Sequence, residues 1–109
     1  MGRVPKAWMR GAGPLAVLKL LDGREMYGYE LAEALDRESE GVLAMGHSTL
    51  YPLLYKLEER GHILRRAPRE AGGRVRKYYA ITDTGREWLA EHQKEWAGLV
   101  DAMTRLGLA

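Results

Sequence analysis

From Gly46 to Gly85 the chain reads GHSTLYPLLYKLEERGHILRRAPREAGGRVRKYYAITDTG, a helical pattern that runs straight into two short extended ones. Leu50, Leu53, Leu54 and Leu57 recur at i, i+3, i+4 and i+7, the spacing of a single buried helix face. Pro52 is tolerated only near a helix start, so it places that start near His47 to Thr49, and Gly61 supplies the stop. Strands are then predicted over about Ile63–Ala67 and Arg74–Thr82, joined through Pro68 and Gly72-Gly73. In the second strand Val75, Lys77, Tyr79 and Ile81 alternate onto one face. Seven Arg and Lys residues between Arg60 and Lys77 face one acid, Glu70, a net +6. The whole chain carries only +2, so everything outside this window sums to −4. Charge concentrated on one surface element is the footprint of phosphate binding. A hairpin charged only for solubility is the bland alternative.

Upstream, residues 1–12 hold Gly2, Pro5, Gly11 and three cations, and are expected to be a flexible segment. Pro14 then opens a largely apolar helix that ends at Gly23. A second helix is predicted from about Tyr27 to Glu38, with Tyr27, Leu31, Ala34 and Leu35 at helical spacing. Ser39–Gly46 reads as a link. After the strands, either Thr82 or the Thr84-x-x-Glu87 box caps a last helix running to about Met103. The order helix, helix, helix, strand, strand, helix defines a mainly α chain with a small β-hairpin (α+β). Its predicted architecture is a winged helix-turn-helix over residues 13–82 followed by a C-terminal dimerisation helix over 83–109.

A helix-turn-helix places the N-terminal residues of its second helix against base edges in the major groove. Here that end carries His47, Ser48, Thr49 and Tyr51, all with donor or acceptor side chains. Ser48 and Thr49 could instead serve only as helix caps, and Tyr51 could pack its ring in the core. Lys56 and Arg60 lie further along, where a phosphate backbone would pass, and Arg74, Arg76 and Lys77 stud the hairpin. Double-stranded DNA is thus the expected partner, with a protein-interaction module that never meets DNA as the alternative. Catalysis is not expected, because His47, His62 and His92 lie on three different elements and there is no Cys. The same inventory predicts no metal site and no cofactor. No apolar run reaches membrane-spanning length, and the N-terminus lacks both a signal-peptide core and the myristoylation pattern. A cytoplasmic protein is expected.

Several of these stretches, read in order, resemble the PadR family of bacterial transcriptional regulators. Tyr27-Gly28-Tyr29-Glu30-Leu31 is similar to its YGYEL motif, and Ser48-Thr49-Leu50-Tyr51-Pro52-Leu53-Leu54 with Leu57-Glu58 to its recognition helix. Gly61-His62-Ile63 resembles the turn into its first wing strand, and Arg74 to Gly85 its second strand and helix start. The resemblance spans roughly residues 10–90. It implies a dimeric winged-helix repressor, often released from a palindromic operator by a small molecule. It also implies DNA contacts by Ser48, Thr49, Tyr51, Arg74, Arg76 and Lys77. A single C-terminal helix is like the family's short subgroup.

The last helix independently suggests a homodimer. Leu89, His92, Trp96, Leu99, Met103 and Leu106 alternate by three and four, with Val100 beside them, like a heptad seam that a partner would cover. In short PadR proteins, tryptophans of the two chains face each other across a pore and stack on flat aromatic compounds. The resemblance gives that role to Trp96, with His92 and Trp88 on the same face; simple packing at the interface is the alternative.

Overall fold

The computed structural model describes residues 2–109. Its elements are α1 (Lys6–Gly23), β1 (Met26–Tyr27), α2 (Gly28–Glu38), α3 (His47–Glu59), β2 (Ile63–Arg65), β3 (Arg69–Ala71), β4 (Arg74–Arg76), β5 (Tyr78–Ile81) and α4 (Asp83–Arg105). The α+β class and the predicted helix order are those of the structure.

The first departure is α1. Pro14 lies inside it rather than at its start, and helix occupies Lys6–Arg10, where a flexible segment was expected. Proline in a helix interior is unfavourable by about 3 kcal/mol, so tertiary contacts must offset it. Met9 is buried, and the bare Cα of Gly13 lets α1 close on Met45 and Leu53. The Val4 N–H donates to the Val42 carbonyl at 3.0 Å, tying the segment before α1 to the α2–α3 link.

Val17, Leu18, Leu31, Leu50, Leu54, Leu57 and Ile63 are fully buried and form the centre of the core. The stripe predicted on α3 is therefore the one that packs, with Leu53 at its half-buried edge. The small sheet has the order β1-β5-β2, and in it Ile63 pairs with Ile81 and Arg65 with Tyr79. The hairpin tip is a second sheet, β3-β4, turning through Gly72 and Gly73 at φ 59° and 78°. Two consecutive positive φ values suit the right-handed twist of a tight hairpin. The single strand predicted over Arg74–Thr82 is broken at Lys77, so its face is not continuous: Tyr79 and Ile81 are buried while Val75 is 73% exposed.

Thr82 is the residue that caps α4; its hydroxyl oxygen accepts from the Gly85 N–H at 3.0 Å. The same hydroxyl donates to the Gly61 carbonyl at 2.5 Å, and the Thr82 N–H donates to the His62 carbonyl at 3.0 Å. The first turn of α4 is thereby fastened to the turn that ends α3. Arg86 adds ion pairs to Asp22 of α1 at 3.2 Å and to Asp83 at 3.1 Å.

His62, at that turn, is a buried imidazole whose Nδ1 has no hydrogen-bond partner among the described residues. Burial holds its pKa below the ordinary histidine range, and the nearby Arg60 and His92 push the same way. The folded state therefore binds fewer protons here than the unfolded chain. Stability is retained above the unfolded value of about 6.5 and lost as pH falls from there through the lower folded value. Melting curves between pH 7.5 and 5.5 (about one unit either side of that value) should show this loss, and His62→Phe should flatten it. Parallel acid profiles for the two proteins would assign the loss to other groups.

Candidate nucleic-acid interface

The N-terminus of α3 stands free of its own side chains. Gly46 is its cap residue, no side chain caps it, and the Gly46 carbonyl accepts from the Thr49 and Leu50 N–H groups. The capping role considered for Ser48 and Thr49 is thus not taken up, and both side chains are exposed. Tyr51 does not enter the core either. Its hydroxyl and ring edge lie over Gly28 so closely that a Cβ there would overlap them, and its ring meets His47 edge-on at 5.4 Å. Gly28 belongs to the start of α2, where the Glu30 carboxylate accepts from the Tyr27 N–H at 3.2 Å.

Two hollows flank this helix end. The one towards the wing, about 760 Å³, is lined by His47 and Tyr51 of α3 together with Arg74, Arg76 and Lys77. Tyr27, Gly28 and Tyr29, with Val75 and Tyr79, complete its wall, and sequence reasoning did not assign them to the site. The other, about 330 Å³, lies between α3 and the N-terminal part of α1. Thr49, Lys56 and Arg60 line it with Lys6 and Arg10. The predicted contact residues are thus divided between two sides of α3, and Ser48 lines neither hollow. Lys6 and Arg10 were missed because their segment was read as flexible; their i, i+4 spacing was the available signal.

The wing is less cationic than its sequence. Arg65 pairs with Glu58 at 2.8 Å, and Glu25 takes both Arg66 at 3.1 Å and Arg69 at 2.9 Å. These two acids lie outside the window and lower its net charge from +6 to +4. Arg69 also lies 3.7 Å above the Tyr78 ring, and Arg76 is 4.8 Å from the Tyr27 ring centre with its Nε buried and unpartnered. Arg74 and Lys77 remain the outward cations of the tip, with no ion pair among the described residues.

On α4, Leu89 is 5% exposed and packs in the chain's own core, so it is not available to a partner as the heptad pattern suggested. Its place near the start of the helix explains this, since that half of α4 still crosses α1. Further along, Trp96, Leu99, Val100 and Met103 are 46, 47, 40 and 38% exposed. Trp88 and His92 stack on each other, ring centres 3.8 Å apart, and the His92 Nδ1–H donates to the Trp88 carbonyl at 2.8 Å. Trp96 lines an apolar hollow of about 270 Å³ with Ala12, Leu15 and Ala16 of α1. It shares a second, of about 410 Å³, with Trp88, His92 and Leu99. Among the described residues no His, Asp or Glu cluster could hold a metal ion, and no helix is long and apolar enough to cross a membrane.

Three packed helices, a basic hairpin after the third, and an exposed third-helix N-terminus define a winged helix-turn-helix protein. A profile of the Transcriptional regulator PadR-like family matches residues 17–91, and the chain belongs to that family of transcriptional regulators, which are not enzymes. It is 32% identical over 89 residues to an uncharacterized protein of Lysinibacillus sphaericus, covering 82% of each chain. It is 33% identical over 82 residues to the negative transcriptional regulator PadR of Bacillus subtilis, covering 72% of this chain but 45% of that one. The chain therefore spans less than half the length of that regulator. Among solved structures, a PadR-like transcriptional regulator of Bacillus cereus superposes with a TM-score of 0.83 at 27% identity, covering 95% of this chain and 99% of that one. A PadR family regulator of Eggerthella lenta gives 0.78 at 32% identity, covering 92% and 85%.

Proposed function

We propose that this transcriptional regulator is a homodimeric repressor that reads a palindromic DNA operator through α3 and its wing. The observation that carries the reading is the wing-side hollow. There His47 and Tyr51 at the N-terminus of α3 and the cations Arg74, Arg76 and Lys77 of the wing line one concave surface. His47, Ser48, Thr49 and Tyr51 are the base-reading candidates, and Arg74, Arg76 and Lys77 hold the adjacent backbone. Lys56 takes a phosphate on the far side of α3. Dimerisation runs through the exposed Trp96–Met103 face of α4, which presents two recognition helices to half-sites about 34–36 Å apart.

Titration against a selected operator and a random duplex separates the two roles. Arg74→Ala with Lys77→Ala should weaken both complexes alike and make the salt slope shallower by roughly 1.8, about 0.9 per lost phosphate contact. Thr49→Ala should weaken the operator complex by about 1–3 kcal/mol while sparing the random one. Duplex binding that is absent, or indifferent to salt, would favour a protein-docking module instead.

The repressor is released by a flat aromatic effector at Trp96, which supports the reading by lining two hollows, one of them largely apolar. Such a ligand acts only by preferring one spacing of the two recognition helices. A planar dye should quench tryptophan fluorescence, and Trp96→Ala should abolish the response while the dimer persists. Quenching that survives in the variant would move the site to Trp88 or Trp8.

A further inference from the structure

Positive charge without an ion-pair partner gathers at two places on this chain, and only one of them is the wing. The other is the hollow between α1 and α3. Lys6 and Arg10 descend into it from α1, Lys56 and Arg60 from α3, and no carboxylate lines it. None of these four cations makes an ion pair among the described residues, whereas Arg65 pairs with Glu58, and Arg66 and Arg69 share Glu25. Four like charges lining one hollow repel one another, an arrangement that favours an anion there.

We propose that Lys6 and Arg10, acting with Lys56 and Arg60, form a second phosphate clamp, gripping the DNA strand on the side of α3 away from the wing. The inference rests on the DNA-binding reading given above and adds α1 to it. Its geometry follows from α3: His47 and Tyr51 line the wing-side hollow, while Thr49 lines the α1-side one. The helix end thus stands between two cationic walls. A helix in the major groove, about 12 Å wide, has a phosphate backbone on each side of it. One wall meets each backbone.

The clamp is preformed. Lys6 and Arg10 are one turn apart on a helix whose start is tied by the Val4–Val42 hydrogen bond and pinned by buried Met9. The hollow's floor is apolar, with Met9, Pro14, Pro52 and Leu53 under the aliphatic stems, so the charged heads sit at the rim. Little backbone ordering remains to be done on binding, which is where preorganised contacts gain affinity.

The test compares two double variants of the full chain, Lys6→Gln with Arg10→Gln and Arg74→Gln with Lys77→Gln, on a random-sequence duplex and on an operator selected from a random pool. Loss of two phosphate contacts lowers the salt slope by about 1.8, so the affinity lost between about 50 and 200 mM salt narrows roughly twelvefold. The α1 variant should show that change with its melting temperature and its preference for operator over random duplex intact. Ethylation interference on the operator should show it losing sensitivity at phosphates distinct from those the wing variant loses. If wild type binds steeply with salt and the α1 variant has the same slope, the clamp is wrong and the DNA reading stands. If both variants lose the same phosphates, α1 makes no separate contact. If wild type binds no duplex, the DNA reading itself fails and takes the clamp with it.

Discussion

Leu99→Asp combined with Met103→Asp is expected to leave a folded monomer whose operator affinity falls at least about 100-fold, the lower end of the gain from joining two binding modules. Trp96, Leu99 and Met103 fall along one side of α4, each more than a third exposed although α1 lies beside Trp96 and Leu99. Burying an aliphatic side chain of this size contributes about 1.5–3 kcal/mol, and two-fold symmetry doubles every contact. The double substitution removes that gain and would bury four carboxylates, each carrying a desolvation penalty of several kcal/mol. The chain's own fold should survive, because α4 is anchored in its first half by Leu89 and the Arg86–Asp22 ion pair. Sedimentation gives the assembly state, circular dichroism the fold, and duplex titration the affinity. A variant that remains dimeric with wild-type affinity would place the interface elsewhere.

Gly85→Ala carries the largest stability effect we expect, a loss of about 2–4 kcal/mol from overpacking and disturbed hydrogen bonds. A Cβ on Gly85 would overlap the His62 carbonyl oxygen, and would stand 2.9 Å from Ile81 Cγ1 and 3.0 Å from the His62 carbonyl carbon. Two of these atoms are backbone, so no rotamer change relieves them. Moving the His62 carbonyl stretches its bond from the Thr82 N–H and so disturbs the cap of α4. For a domain this size the loss should lower the melting temperature by more than about 8 °C. Gly98→Ala is the matched control. Position 98 lies on the same helix, about 200° round from Trp96 at 100° per residue, and has nothing within 4 Å of an added Cβ. It should gain about 0.5–1 kcal/mol from helix propensity. If the two alanines behaved alike, the packing of α4 on the α3–β2 turn would not be tight.

Periodicity carries its information over whole turns, and the elements legible in the sequence were those long enough to show it. The leucines of α3 named its buried face, and Gly72-Gly73 named the hairpin turn. β1, with two residues, spans a single strand period and so shows no repeat, and exists because Met26 and Tyr27 pair with Tyr79 and Tyr78 on β5. The helix before Pro14 was illegible for another reason. Local propensity argues against it, and it is held by distant residues, among them Met45, Leu53 and Val42. The site followed the same rule. Residue types and order pointed to His47–Tyr51 and the wing, but which cations are free depends on Glu58, just before the charge run, and on Glu25, 41 residues from Arg66, and a charge count does not show which cations those acids take. Leu89 fitted the seam pattern and still belongs to the core, because a heptad cannot say where a helix leaves its own domain.

The contact between Tyr51 and Gly28 limits how such a regulator can acquire new operators. Ser48 and Thr49 are exposed and can be exchanged without disturbing the interior. Tyr51 cannot be treated that way, because its ring occupies the space that any side chain at position 28 would need. A larger residue at 28 would drive the ring outward, and a smaller one at 51 would leave the start of α2 uncovered. Drift in recognition should therefore proceed through a few freely variable letters around one fixed pair, 23 positions apart in the chain, that can change only together.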